Sequence, residues 1–275
     1  MSEYEIWDLW MKIQETRPVV HCITNIVTVN DCANILLAAG ASPTMAHDPR
    51  EVAEVTRGCQ SLVCNMGAME SLDAMEEAGV QASNMGHPII LDPVGVAGSS
   101  WRRRKCFELI RKIKPNCIRG NFSEIKALAF DQQVGIGVDA SEGDNISASS
   151  LEDVKAVVRS LAQKLGTIVV ASGVLDVISD GEETYVVSQG SSWMARITGS
   201  GCMSSALLGA FLSIECSIQA AAASCVVMGI CGEIAEAKTR VLKGGTGTFH
   251  IQLLDAVSLV EFEQLKNKYI KTPAD

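Results

Sequence analysis

The sequence is short of positive charge. Its 23 lysines and arginines face 32 aspartates and glutamates, a net charge of −9 with a pI near 5.0. A nucleic-acid surface needs a basic patch to neutralise phosphates, so this balance argues against one. The single basic cluster, Arg102-Arg103-Arg104-Lys105, reads as the solvated start of a helix. Missing motifs exclude more. Ten cysteines include no C-x-x-C pair, which leaves zinc-ribbon and thioredoxin-like readings unsupported. There is no G-x-x-x-x-G-K-[ST], so a Walker-type nucleotide site is excluded. Gly135-Ile136-Gly137-Val138-Asp139-Ala140 matches the dinucleotide fingerprint loosely, but no apolar strand precedes it and NAD binding is rejected. His21, His47, His87 and His250 lack metal-ligand spacing and read as loop or core residues. Residues 1–17 are amphipathic and acidic with no uninterrupted apolar stretch, so no signal peptide is expected. Reduced thiols in a cytoplasmic protein fit the cysteine usage best. The apolar stretch 206–230 is cut by Glu215, Ser217 and Gln219 into pieces too short to span a bilayer. Two buried helices meeting near Cys216 are expected there, and no membrane partner.

What is present is alternation. Helical patterns over 4–15, 30–39, 49–56, 105–113 and 122–130 are interleaved with short β-type runs at 18–23, 41–45, 61–65, 88–93 and 116–118. Asp48-Pro49 is expected to cap and open the third helix, and Gly67 the helix after 61–65. A polar, Gly-rich loop is expected over 132–149, with Ser149 or Ser150 capping a helix to Leu165. A strand at 167–171, a hairpin of 176–179 and 184–187 around Asp180-Gly181, two apolar helices and a last helix near 253–265 follow. Buried strands alternating with helices predict one α/β domain over 1–275, a mostly parallel central sheet with helices on both faces.

One stretch stands out chemically. Ile197-Thr198-Gly199-Ser200-Gly201-Cys202-Met203 precedes a long apolar helical run, the pattern of a tight turn feeding a helix N-terminus. Unpaired backbone N–H groups and the positive end of the helix dipole converge at such a turn, which suits a phosphate. Cys202 falls in the first turn, where that field favours a thiolate. An ordinary Gly-rich connection beside a buried thiol has the same spacing. In open α/β sheets ligands gather beyond the carboxyl ends of strands. Asp92, Arg119, Asn121, Glu124 and Ser172 all follow or end expected strands. Taken singly, Asp92 can cap a turn, Glu124 can be a first-turn dipole partner and Arg119 can form a structural ion pair. Together they supply the carboxylates that Mg²⁺ takes beside a nucleotide and a guanidinium for a transferring phosphoryl group.

The most specific stretches are Cys22-Ile23-Thr24-Asn25 with Asn30, Gly40-Ala41-Ser42-Pro43-Thr44-Met45-Ala46-His47-Asp48, Leu91-Asp92-Pro93-Val94-Gly95, Ile118-Arg119-Gly120-Asn121-Phe122-Ser123-Glu124-Ile125 and Thr198-Gly199-Ser200-Gly201-Cys202-Met203. On these the chain resembles the hydroxyethylthiazole kinase family, within the ribokinase-like group, over nearly its whole length. Other ribokinase-like enzymes end the last motif in G-x-G-D with Asp as general base. The thiazole kinases have Cys there, as here, which separates this chain from hydroxymethylpyrimidine and pyridoxal kinases. The resemblance implies transfer of the ATP γ-phosphoryl group to the hydroxyl of 4-methyl-5-(2-hydroxyethyl)thiazole, a thiamine-salvage step. It also implies Mg²⁺ near Asp92 and Glu124, and a homotrimer with active sites between subunits. By the same resemblance Met45, Gly199 and Asn25 contact substrate. Arg119, Ser172 and Asn121 contact nucleotide, and the amides of Gly199, Ser200, Gly201 and Cys202 form the anion hole. Cys202 then sits beside the reacting hydroxyl. The family's Thr-Gly-Glu-Val-Asp reads Ser172-Gly173-Val174-Leu175-Asp176 here, so Val174 replaces an acidic residue. Gly-Pro-Gly-Ser-Phe reads Gly245-Thr246-Gly247-Thr248-Phe249, without the proline. A kinase for another small alcohol and a non-catalytic nucleotide-binding trimer are the rival expectations.

Overall fold

The computed structural model describes residues 1–130 and 151–266. The loop expected over 132–149, the cap at Ser149 or Ser150 and the 135–140 segment lie outside them. The first half is built from α1 (Glu3–Thr16), β1 (Val19–Ile23), α2 (Val29–Ala38), β2 (Ser42–Thr44), α3 (Val52–Arg57), β3 (Ser61–Asn65), α4 (Leu72–Met85) and β4 (Ile89–Asp92). Then follow α5 (Ser100–Ile113), β5 (Cys117–Asn121), α6 (Phe122–Phe130), α7 (Leu151–Leu165), β6 (Ile168–Ser172), β7 (Asp176–Ser179) and β8 (Thr184–Val187). The last four helices are α8 (Ser200–Ile214), α9 (Ile218–Val241), α10 (Thr246–Ser258) and α11 (Phe262–Leu265).

The strands form one eight-stranded sheet in the order β2-β1-β3-β4-β5-β6-β7-β8. Pairing is parallel from β2 through β6 and antiparallel at β6–β7 and β7–β8. β3 and β4 are buried at every position. Strands this apolar must be covered on both faces, and they are. One core cluster joins the sheet to α1, α2, α8, α9, α10 and α11; the other joins it to α3, α4, α5, α6 and α7. The expected α/β architecture with helices on both faces is therefore the observed one.

Several boundaries shift for local reasons. Asp48 does not cap a helix at Pro49; it accepts the Arg50 N–H in a turn, and α3 begins only at Val52. Gly67 leads into a single 3₁₀ turn, Met69–Ser71, before α4 starts at Leu72. α5 starts five residues before Lys105 because the Ser99 hydroxyl caps the Arg102 N–H. The basic cluster thus sits inside the helix, with Arg103 buried. β5 runs on to Asn121, past the expected Ile118. The expected last helix is two, α10 and α11, parted at Leu259 to Glu261.

α8 and α9 are the two apolar helices expected around Cys216. By length and composition α9 is able to cross a membrane, yet 78% of its most apolar window is buried within the protein. α8 lies close on the sheet. A Cβ on Gly209 would stand 2.8 Å from Val63 Cγ2, and the Gly209 carbonyl accepts the Ser61 hydroxyl at 2.8 Å. That close approach aims the α8 N-terminus at the carboxyl ends of the central strands. α9 is equally tight: a Cβ on Gly229 would fall 2.5 Å from the Gln189 carbonyl oxygen. Overpacking against backbone costs about 1–3 kcal/mol, more than the roughly 1 kcal/mol of helix propensity that Ala gains over Gly. Gly229→Ala is expected to lower the thermal midpoint, by roughly 2–4 °C per kcal/mol for a chain this size, in a melt followed by circular dichroism.

Candidate active site

The strand order reverses direction once. β1 is followed by α2 on one face, while β3, its neighbour, leads to α4 on the other. The loops leaving these strands diverge and open a crevice at the carboxyl edge of the sheet, the place where α/β sheets bind ligands. The expected site residues occupy it. Asn25 follows β1, Asp92 ends β4, Arg119 and Asn121 lie on β5, Ser172 ends β6 and Glu124 sits in the first turn of α6.

α8 closes the crevice. Gly199 is its N-cap, in the left-handed region at φ 85°, and a Cβ there would lie 2.9 Å from Thr28 Cγ2. Glycine is therefore required both by backbone and by contact. Among the described residues no side chain makes a capping hydrogen bond to this helix start. Met203 N–H is the first to bond back into the turn, to the Gly199 carbonyl, so the amides of Ser200, Gly201 and Cys202 have no intrahelical partner. Arg119 Nη1 donates to the Gly201 carbonyl at 2.8 Å, tying β5 to this turn. A Cβ on Gly201 would sit 3.0 Å from that nitrogen. The Ser200 hydroxyl is engaged elsewhere, donating to the Met194 carbonyl at 2.8 Å.

Cys202 Sγ points at two amides. Asn65 Nδ2 lies 3.3 Å from it and Asn25 Nδ2 3.5 Å. Asn65 Nδ2 also donates to Asp92 Oδ2 at 3.1 Å, and the Ser205 hydroxyl, three residues after Cys202 on α8, donates to the same oxygen at 2.7 Å. Burial pushes the Cys202 thiol up, the Asp92 charge adds to it, and hydrogen bonds from Thr28, Asn25 and Asn65 oppose both. Burial and the Asp92 charge outweigh the helix field expected to favour a thiolate. Burial likewise raises Asp92 against the pull of Arg119, Ser205 and Asn65.

Glu124 and Asn121 form a capping box on α6. Asn121 Oδ1 accepts the Glu124 N–H at 2.8 Å, and Glu124 Oε2 accepts the Asn121 N–H at 2.9 Å. Glu124 Oε1 takes the Gly95 N–H at 2.8 Å and pins the loop after β4. Burial first, and the Asp92 charge second, push Glu124 up to about 7. Asp92 and Glu124 thus both have structural partners within the crevice. The Ser172 hydroxyl donates to the Gly120 carbonyl at 3.2 Å, across the pairing that sets Asn121 opposite Ser172. Met45 follows β2, half-buried against the core beside α2, and makes no hydrogen bond to this group. His21 is a core residue as expected, its ring between the Thr56 hydroxyl and the Ala46 carbonyl.

Sequence reasoning missed Asn65, Ser205 and Asp176. Asn65 is the polar end of an apolar strand, and only the parallel register sets it directly opposite Asp92. Asp176 accepts the Gly173 N–H at 3.0 Å and closes the turn after β6. Burial pushes its carboxyl up to about 6, with Arg119, the Gly173 amide and the Cys225 thiol opposing. Val174, in that turn, is exposed.

The geometry is an amide-lined N-terminus facing two buried carboxylates and a guanidinium, an arrangement suited to a phosphoryl group. Known proteins agree. The family model described as "Hydroxyethylthiazole kinase family" matches residues 10–263. A protein of Methanosphaera stadtmanae named hydroxyethylthiazole kinase 1 is 40% identical over 269 residues, 94% of each chain. A hydroxyethylthiazole kinase of Ruminiclostridium cellulolyticum is 42% identical over 267 residues, 95% of each. The solved structure of a hydroxyethylthiazole kinase protein from Pyrococcus horikoshii superposes with a TM-score of 0.84 at 33% identity, covering 98% of both chains. A Bacillus subtilis pyridoxal kinase in complex with ADP shares the fold at a TM-score of 0.55 and 16% identity, covering 78% of this chain and 90% of that one. With the crevice, the helix turn and these relatives pointing one way, the chain belongs to the hydroxyethylthiazole kinase family.

Proposed function

We propose that this protein transfers the γ-phosphoryl group of ATP to the hydroxyl of 4-methyl-5-(2-hydroxyethyl)thiazole, a step in thiamine salvage. The observation that carries the reading is the α8 N-terminus: three amides without intrahelical partners, with Cys202 among them, face Asp92 and Arg119 across one crevice. Phosphoryl transfer depends mainly on positioning and on stabilising developing charge, which this turn supplies.

In this reading the amides of Gly199, Ser200, Gly201 and Cys202 hold the phosphoryl oxygens, and Arg119 neutralises their charge. Asn25, Met45 and Gly199 line the alcohol's side; Asn121 and Ser172 line the nucleotide's. Cys202 takes the proton of the attacking hydroxyl. Asp92 and Glu124 would hold Mg²⁺ beside the nucleotide, where it would supply charge neutralisation for the phosphates. The carboxylates fit it: Asp92 Oδ2 is engaged by Asn65 and Ser205, and among the described residues nothing donates to Oδ1. Glu124, with both oxygens on backbone amides, fits best as a ligand acting through water. No cluster of three or more metal-binding side chains exists among the described residues, and a hard cation held largely by phosphates and water requires none.

Because burial lifts Glu124 to about 7, its ionised form gains population as pH rises through that value. The Mg²⁺ concentration for half-maximal rate is therefore expected to be higher at about pH 6 than at about pH 8. Rate against Mg²⁺ at the two values checks this, and Glu124→Gln should remove the difference.

A single domain over 1–275 belongs to the same proposal, supported by one sheet continuous across the described residues. So does a homotrimer. Leu37 on α2, Ile251 on α10, and Val241 and Leu242 at the end of α9 expose large apolar side chains, and α10 packs against both α2 and α9. Exposed apolar surface of this kind marks an interaction site. The cytoplasmic location expected from cysteine usage completes the reading. A panel of hydroxyethylthiazole, hydroxymethylpyrimidine and pyridoxal with Mg²⁺-ATP tests the substrate. Preference for the thiazole supports the proposal; Mg²⁺-ATP binding with no alcohol turned over would replace it with a non-catalytic nucleotide-binding protein.

A further inference from the structure

Asn65 is buried at the end of β3, with both ends of its side-chain amide engaged. Its Oδ1 accepts the Gly67 N–H at 2.8 Å and the Asn25 amide at 3.3 Å. A backbone N–H can only donate, so this bond fixes which end of the amide is which. Nδ2 is thereby turned toward Asp92 Oδ2 at 3.1 Å and Cys202 Sγ at 3.3 Å. The fit is close: a Cβ on Gly67 would stand 2.7 Å from Asn65 Oδ1 and 3.0 Å from Asn25 Cβ. Glycine at 67 lets the chain fold tightly enough over β3 to hold the amide in that orientation.

We propose that Asn65 is a positioning residue for phosphoryl transfer, its side-chain amide aiming the Cys202 sulfur and one Asp92 oxygen at the carboxyl edge of the sheet. The inference rests on the reading of Cys202 as the group beside the reacting hydroxyl. Asn65 joins three separate elements at one point: the loop after β1 through Asn25, β4 through Asp92, and α8 through Cys202. Its Nδ2 carries two donors, one for the Cys202 sulfur and one for Asp92 Oδ2. Remove the donors and the sulfur and the carboxylate, raised in energy by burial, lose a shared partner.

Asn65→Asp is nearly isosteric and keeps an acceptor for Gly67 N–H, but it has no donor for Asp92 or Cys202. We expect it to lower kcat by about 10–100-fold, the size of one or two buried hydrogen-bond penalties, while the KM for ATP stays within about twofold. Asn65→Ala, which adds no charge, should show the same split, and thermal melts of both variants establish that they are folded. The deciding measurement is a double-mutant cycle with Cys202→Ala. If Asn65 acts through Cys202, the loss in Asn65→Ala, which adds no charge beside Asp92, shrinks at least several-fold on the Cys202→Ala background. Equal losses on both backgrounds, or a KM rise that accounts for the whole effect, would overturn the proposal. Wild-type turnover in Cys202→Ala alone is a different result, which removes the role of Cys202 itself.

Discussion

Replacing Cys202 with alanine is expected to lower turnover by about 10²–10⁴-fold, the range for loss of a general base. The sulfur stands in the first turn of α8 with two amides on it and Asp92 nearby, and nothing else in that turn can accept a proton. Burial and the Asp92 charge hold the thiol above its usual value. A group with a raised value carries its proton at neutral pH, so the thiolate fraction grows as pH rises. The rate should therefore climb between about pH 7 and 9 in the native enzyme. Cys202→Asp should retain activity, since a carboxylate is an adequate base at this position, and its rate should be flat over the same interval. A near-native rate in the alanine variant would make Cys202 a wall of the pocket. An inactive but folded aspartate variant would argue against proton abstraction here.

The second large effect is expected at Arg119. Its guanidinium donates to the Gly201 carbonyl, and its charge draws down Asp92, Glu124 and Asp176, all of which burial raises. If Arg119 neutralises the transferring phosphoryl group as proposed, Arg119→Ala is expected to cost about 10²–10³ in kcat. It also frees the α8 turn from β5, so part of the loss should register in the KM for ATP. Arg119→Lys keeps the charge but not the planar fork, and only partial recovery is expected. Steady-state kinetics of both variants at saturating Mg²⁺ separate the charge from the geometry. Equal rates in the lysine variant and the native enzyme would reduce Arg119 to a point charge.

How much of this was legible in the residues depended on whether the signal was local. The hairpin of β7 and β8 was readable because Asp180-Gly181 sits between two β-branched runs, and both strands fell at the expected positions. The Gly199 turn was readable because two glycines before an apolar run describe a helix start. α5 was misplaced at its start because a four-residue basic run looks like a solvated boundary; the Ser99 cap and the burial of Arg103 are tertiary facts. Asp48-Pro49 carried the right residue types for a cap, but the backbone stayed in a turn until Val52. Within the crevice, Asp92 and Cys202 were legible as chemistry-bearing residues, while Asn65 was not. An asparagine ending a strand has no sequence signature. Its importance comes from the β3–β4 register that sets it opposite Asp92, and from the helix that brings Cys202 across 137 positions of chain. Glu124 shows the converse. Its position was foreseen, yet its oxygens are spent on the Gly95 and Asn121 amides, a role only the folded loop reveals.

The α8 turn is expected to deliver a phosphoryl group to a small alcohol. Incubation with γ-labelled ATP, Mg²⁺ and hydroxyethylthiazole, followed by chromatographic separation of the products, tests it directly. Label appearing in a phosphate ester of the thiazole, dependent on Mg²⁺ and nearly lost in Cys202→Ala, is the predicted result. Label that stays in ATP, or is released only as inorganic phosphate at the same rate with and without the alcohol, would contradict it.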